Sequence, residues 1–177
     1  QAQRKLLILE ENLAKYKLKH AQRQLEQFQQ KFDTIIEIIG SKFDPSQLTY
    51  SRYYSIAQEV YLSGIDNLSD ILTARKTMDS IDLEYIHARL LELENKDPAN
   101  KVVKKEKDAL LRSQFSYQVQ EEKINTLVAE NETALTQIDE ATIAIAEISK
   151  SKNKEARIDM ENSMKALEEM AKRSKVY

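Results

Sequence analysis

The sequence predicts an all-α fold: an elongated antiparallel helical bundle, or coiled coil, with three long helices and one short helix. Its 177 residues contain only two glycines and two prolines, too few to punctuate many strands and turns. Apolar residues form 41% of the chain, with no tryptophan, which is enough for seams between helices but not for a thick globular interior. Over most of the length those apolar residues recur at steps of three and four, the helical period. Residues 1–177 therefore read as a single elongated helical domain, with a phase shift or hinge near 149–155.

The first long helix is expected from Gln1 to Ile39. Leu18, Ala21, Leu25, Phe28, Phe32, Ile35 and Ile39 form one seam. Leu6, Leu9, Leu13 and Tyr16 keep the rhythm in another phase, so a stutter is expected near Lys15–Leu18, relaxing the supercoil without breaking the helix. Gly40 supplies a left-handed stop. The second helix is expected to start at Asp44 as N-cap, with Pro45 in the first position, Gln47 closing a capping box and Phe43 with Leu48 as a hydrophobic staple. It runs to about Asp79 and carries Gly64 in its middle, where glycine costs about 1 kcal/mol relative to alanine, so Gly64 marks a close helix crossing. Asp82 caps a short helix, Leu83 to about Asn95, with Ile81 and Ile86 as its staple. Asp97-Pro98 then starts the longest helix.

That last helix has the cleanest heptad seam. Ile124, Leu127, Asn131, Ala134, Ile138, Ala141, Ile145 and Ile148 alternate steps of three and four, and Tyr117, Leu110 and Val103 extend the pattern backwards. The polar run Ser149–Glu155 interrupts it, after which Ala156, Met160, Met164, Leu167 and Ala171 resume on a shifted face. A continuous helix is expected through the run, which lacks Gly and Pro. At 1.5 Å per residue, Pro98–Ile148 spans roughly 75 Å against about 58 Å for the first helix. Part of the long helix must therefore project, bend or find cover in another chain, and Ile124, Leu127, Asn131, Ile138, Ile145 and Ile148 are the expected interaction seam of a homo-oligomer. Asn131, a lone polar residue in that seam, suggests either an Asn131 pair across a parallel dimer or a bundle edge reaching water.

Charge is segregated. Between Gln118 and Ile148 seven acidic side chains stand against one lysine, whereas Lys101–Arg112 carries five basic against two acidic residues. Such a rod favours antiparallel pairing, within or between chains, and opposes in-register parallel pairing. The overall net charge of −2 argues against nucleic acid as the partner. Membrane contact through the basic clusters at Lys101–Lys107 and Lys150–Arg157 is conceivable on charge alone, but not by spanning, because no apolar run approaches roughly 18 residues.

Few residues offer chemistry. Glu84 and His87 have the Glu-x-x-His spacing of carboxylate-bridged bundles, but those need a second such motif, and here the other histidine, His20, follows Lys17. Glu84 is explained by its place in a first helical turn. No cysteine, Gly-rich loop or nucleophile–base pair is present in the sequence. Tyr50, Tyr53, Tyr54 and Tyr61 with Arg52 resemble a nucleic-acid surface, yet their helical spacing points to packing. The expected function is non-catalytic, without cofactor, metal or small-molecule substrate: a cytoplasmic scaffolding or adaptor coiled-coil module that binds itself or a partner helix. Two rivals are the soluble portion of a membrane-associated coiled-coil protein, anchored upstream of Gln1, and a metalloprotein using Glu84 and His87.

Overall fold

The computed structural model describes residues 2–148 and 153–173. The described residues are all-α, with six helices: α1 (Ala2–Lys15), α2 (Lys19–Lys42), α3 (Leu48–Asp79), α4 (Leu83–Glu94), α5 (Lys101–Ala146) and α6 (Lys154–Arg173). The count exceeds four because two expected continuous helices are broken.

The first break falls where a stutter was expected. Leu18 N donates to Leu13 O (2.9 Å) and Lys17 N to Ala14 O (3.0 Å), the two hydrogen bonds of a Schellman ending. Lys17 takes the left-handed position at φ 56°, which glycine would occupy without steric cost. Lys17→Gly is therefore expected to stabilise the chain by about 0.5–1 kcal/mol. A urea midpoint that rises at unchanged slope checks this; a fall would mean that α1 does not end as described.

Gly40, expected to stop α2, lies inside it, and no glycine among the described residues has positive φ. The helix instead leaves its axis at Phe43, which is extended and donates its N–H to Ile39 O. Helices α3 and α5 both start three residues later than expected, with Gln47 and Asn100 rather than Asp44 and Asp97 in the N-cap position. In each Asp-Pro pair, the aspartate caps an isolated turn: Asp44 Oδ1 accepts from Ser46 N (2.8 Å) and Asp97 Oδ1 from Ala99 N (2.9 Å). The residue closing each turn then opens the helix. Asn100 Oδ1 accepts from Val102 N (2.9 Å) to cap α5, and Gln47, which accepts from Asp44 N (2.9 Å), precedes α3. Leu48 is 84% exposed, so it forms no staple; Phe43 packs edge-on against Tyr53 instead. Asp82 caps α4 by accepting from Tyr85 N (3.0 Å).

Helices α2, α3 and α5 pack on one another in a three-helix core, with α6 against α3 and α5 and α1 against α2 and α3. Helix order fixes direction. As numbers rise from Asn67 through His87 to Arg89, their hydrogen-bond partners on α5 fall from Asn131 through Gln114 to Glu106, so α3 and α4 both run antiparallel to α5. Helix α2 runs parallel to α5, pairing His20 with Glu132, Lys31 with Asp139 and Lys42 with the Ile148 carbonyl. The acidic section of α5 thus meets its cationic partners within the chain, on the parallel α2, because α3 intervenes in sequence.

The second break corrects the continuous C-terminal helix. Helix α5 ends at Ala146 with Glu147 as its cap, and α6 folds back to place Met160, Met164, Leu167 and Ala171 in the shared core. Of the polar run 149–155, residues 149–152 lie outside the described residues. Among the described residues no helix is long and apolar enough to cross a membrane.

Candidate functional site

The seam of α5 faces inward. Asn131, Ile138 and Ile145 are buried, and Ile124, Leu127 and Ile148 are half-buried against the same core. Helices α2, α3 and α6 thus shelter these six residues within one copy, and they present no open stripe for an oligomer. The expectation of a mating surface here is corrected by the backfolding of α6, which supplies from within the chain what a second chain was expected to supply.

Asn131 sits neither on a dimer axis nor at a wet edge. It is 0% exposed, as is Gln24, and the two belong to one hydrogen-bonded chain. Asn67 Nδ2 donates to Asn131 Oδ1 (3.0 Å), and Asn131 Nδ2 donates to Gln24 Oε1 (3.2 Å). Gln24 Nε2 in turn donates to Val128 O (3.0 Å) and Glu132 Oε1 (2.8 Å). His20 Nε2 lies 3.0 Å from the same Glu132 oxygen. Hydrogen bonds from Gln24 and then His20 hold the Glu132 carboxyl below the usual glutamate range. Their contribution is present above the ordinary glutamate pKa and fades as pH falls through the lowered one. The sequence signalled Gln24 only by its place at helical spacing between Ala21 and Phe28.

Gly64 meets Phe28 across the α2–α3 contact so closely that a β-carbon built on it would lie 2.4 Å from the ring Cζ. Two tyrosines of α3, Tyr54 and Tyr61, pack on α2. Phe32 stacks on Tyr61 with centroids 4.7 Å apart and meets Tyr54 edge-on. The buried Tyr53 hydroxyl donates to Glu161 of α6, and burial, then Glu161, push its pKa upward. Arg52 joins the same carboxylate at 3.2 Å. These residues tie α6 down.

Glu84 is exposed in the first turn of α4, and His87 Nε2 lies 3.1 Å from Gln114 Nε2 of α5. Among the described residues no group of three or more His, Cys, Asp or Glu side chains is placed to hold a metal ion.

The surface left open is elsewhere. Among the described residues helix α4 packs on no helix but α5, and from Lys101 to Glu130 no side chain of α5 is buried. At about 1.5 Å per residue α5 is roughly 69 Å long, and its first half with α4 projects from the core as a two-helix hairpin. Arg89 holds it closed with a two-pronged ion pair to Glu106 (2.6 and 3.1 Å). The seam positions here include Glu106, Ser113 and Gln120, each half-buried, so the inner face is only partly apolar. The outer face carries Leu111, Phe115 and Val119, with Phe115 65% exposed. Lys101, Lys104, Lys105, Asp108 and Arg112 flank Leu111 and Phe115 along the same stretch of α5. Sequence reasoning missed this stripe because it tracked the heptad seam, and Leu111 and Phe115 fall off it. Comparison with protein-family models, curated proteins and solved structures finds no match to this chain.

Proposed function

We propose that the chain is a non-catalytic scaffolding or adaptor module, working in the cytoplasm, whose α4–α5 hairpin carries a docking face for a helix of a protein partner or of a second copy. One observation carries this reading: Leu111, Phe115 and Val119 lie at steps of four along a long helix whose opposite side is already engaged by α4. Exposed apolar residues on a preformed helix lose little conformational freedom on docking, and an i, i+4 stripe is what a partner helix engages. Phe115 would be its anchor, since large aromatic side chains dominate the energetics of such contacts. The reading draws on this stripe alone and on no reactive group.

Site-specific photo-cross-linking tests it. A benzophenone side chain at position 115 of the full chain, in its native cells, is expected to form polypeptide adducts that the same group at the exposed Glu140 of the body does not. Position 115 yielding no adduct, or adducts with lipid alone, would overturn the reading.

A further inference from the structure

We infer that the occupant of the hairpin's outer face is a second copy of this chain, paired antiparallel about a twofold axis between Leu111 and Phe115. The inference rests on the docking function proposed above and names its partner. Charge is unevenly distributed along one line of α5. At about 100° per residue, Lys104, Leu111, Phe115 and Glu122 lie within about 40° of one another around the helix. All four side chains are exposed. The line therefore reads basic, apolar, apolar, acidic, with the exposed Asp108 beside it between Lys104 and Leu111.

A surface with opposite charges at the two ends of an apolar centre is complementary to its own reversed copy. Setting Leu111 against Phe115 of the second copy brings Lys104 opposite Glu122, and the twofold axis repeats both pairs. The neighbouring register, Phe115 on Phe115, sets Asp108 against Glu122, two like charges. Parallel pairing sets Lys104 on Lys104 and Glu122 on Glu122. Of these three arrangements, only the first joins the apolar centres without opposing like charges.

The path is also open. Thr126, Ala129 and Thr133 continue the outer line beyond Glu122 and are all exposed, while α2, α3 and α6 cover the inward side of α5. Antiparallel pairing sends the two bodies away from each other, past opposite ends of the contact. Two apolar side chains per copy, Leu111 and Phe115, make a small interface, below the ~1,200 Å² of total buried surface typical of stable complexes. The dimer is therefore reversible and concentration-dependent.

Sedimentation equilibrium of the full chain over a wide concentration range, with far-UV circular dichroism to verify folding, tests the inference through charge exchange. Wild type is expected to show a monomer–dimer equilibrium, and Phe115→Glu to remain monomeric with unchanged helicity, because the side chain is exposed. Lys104→Glu and Glu122→Lys should each weaken dimerisation roughly tenfold, since each turns two attractive pairs into repulsive ones. Mixing the two variants should restore it, one pair forming with reversed polarity and the other as in wild type, and combining both changes in one chain should restore it with both pairs reversed. Failure of that rescue would overturn the antiparallel register. A strictly monomeric wild type at the highest concentration would overturn the second copy as occupant. If that monomer instead binds vesicles of phosphatidylserine and phosphatidylcholine, an acidic lipid surface takes its place. If position 115 still forms adducts with another protein, the docking function stands with a different partner.

Discussion

Gly64→Ala is expected to lower stability by about 1–2 kcal/mol and Gly64→Val by about 3 kcal/mol, even though each removes a glycine from the middle of a helix. On propensity alone alanine would stabilise by about 1 kcal/mol. The opposing term is steric. A β-carbon at position 64 would lie 2.4 Å from Phe28 Cζ and 2.6 Å from both Cε atoms, distances that packed carbon atoms do not tolerate. The Phe28 ring is fully buried, so it cannot give way without displacing its core neighbours. Either the ring leaves its rotamer or α2 and α3 move apart, and both degrade the contacts of Leu25, Val60 and Leu68 in the same core. A smaller side chain at position 28 should relieve the clash. In Phe28→Leu the ring atoms nearest Gly64 are absent, and Gly64→Ala should cost less there than in wild type, giving a coupling of about 1 kcal/mol or more in a double-mutant cycle read by urea unfolding. If alanine at position 64 raises the midpoint in the wild-type background, the helices do not cross as closely as described.

The same pair of residues shows what the sequence discloses. A glycine inside a helical pattern is visible as an anomaly, but its partner is not, because Phe28 is one of several large residues on α2 at seam spacing. Helix type and the cap at Asp82 were legible because they rest on local rules of spacing and side-chain capping. The breaks at Lys17 and Glu147 were not, since helix ends are usually flagged by glycine or proline and here neither is present. Lys17 accepts the left-handed conformation because the Schellman bonds and the burial of Leu13 on one side and Ala21 on the other over-determine it. The interaction surface was misplaced for a related reason. Heptad spacing identifies which α5 residues face inward but not what covers them, and the return of α6 decided that the 124–148 seam would be closed while Leu111 and Phe115 stayed open.

Asn131→Leu is expected to cost about 2–3 kcal/mol, because it leaves the Gln24 carbonyl oxygen inside the core without its donor. Leucine fits the apolar seam and has the better helix propensity, so the loss comes from the neighbour rather than from position 131 itself. Asn67, half-buried, can turn to water; Gln24, fully buried, cannot. Adding Gln24→Leu removes the stranded group and should return stability to within about 1 kcal/mol of wild type or above it, since a buried polar pair replaced by apolar residues of similar size is often neutral or stabilising. Additive losses in urea unfolding would show that the two side chains do not form the unit described. Asn131→Asp separates hydrogen bonding from volume. Its carboxylate, nearly isosteric with the amide, would point an acceptor at the Gln24 acceptor and carry an unpaired charge in the core, costing about 3–5 kcal/mol at neutral pH. Burial raises the pKa of such a group above its unfolded value, so the penalty relative to wild type is greatest above the raised pKa and shrinks as pH falls through it. Once protonated, the acid hydroxyl can donate to Gln24 Oε1 as the amide does. A penalty that stayed constant between neutral and mildly acidic pH would mean that position 131 is open to solvent and that α2 and α5 are held in register without the Asn131–Gln24 hydrogen bond.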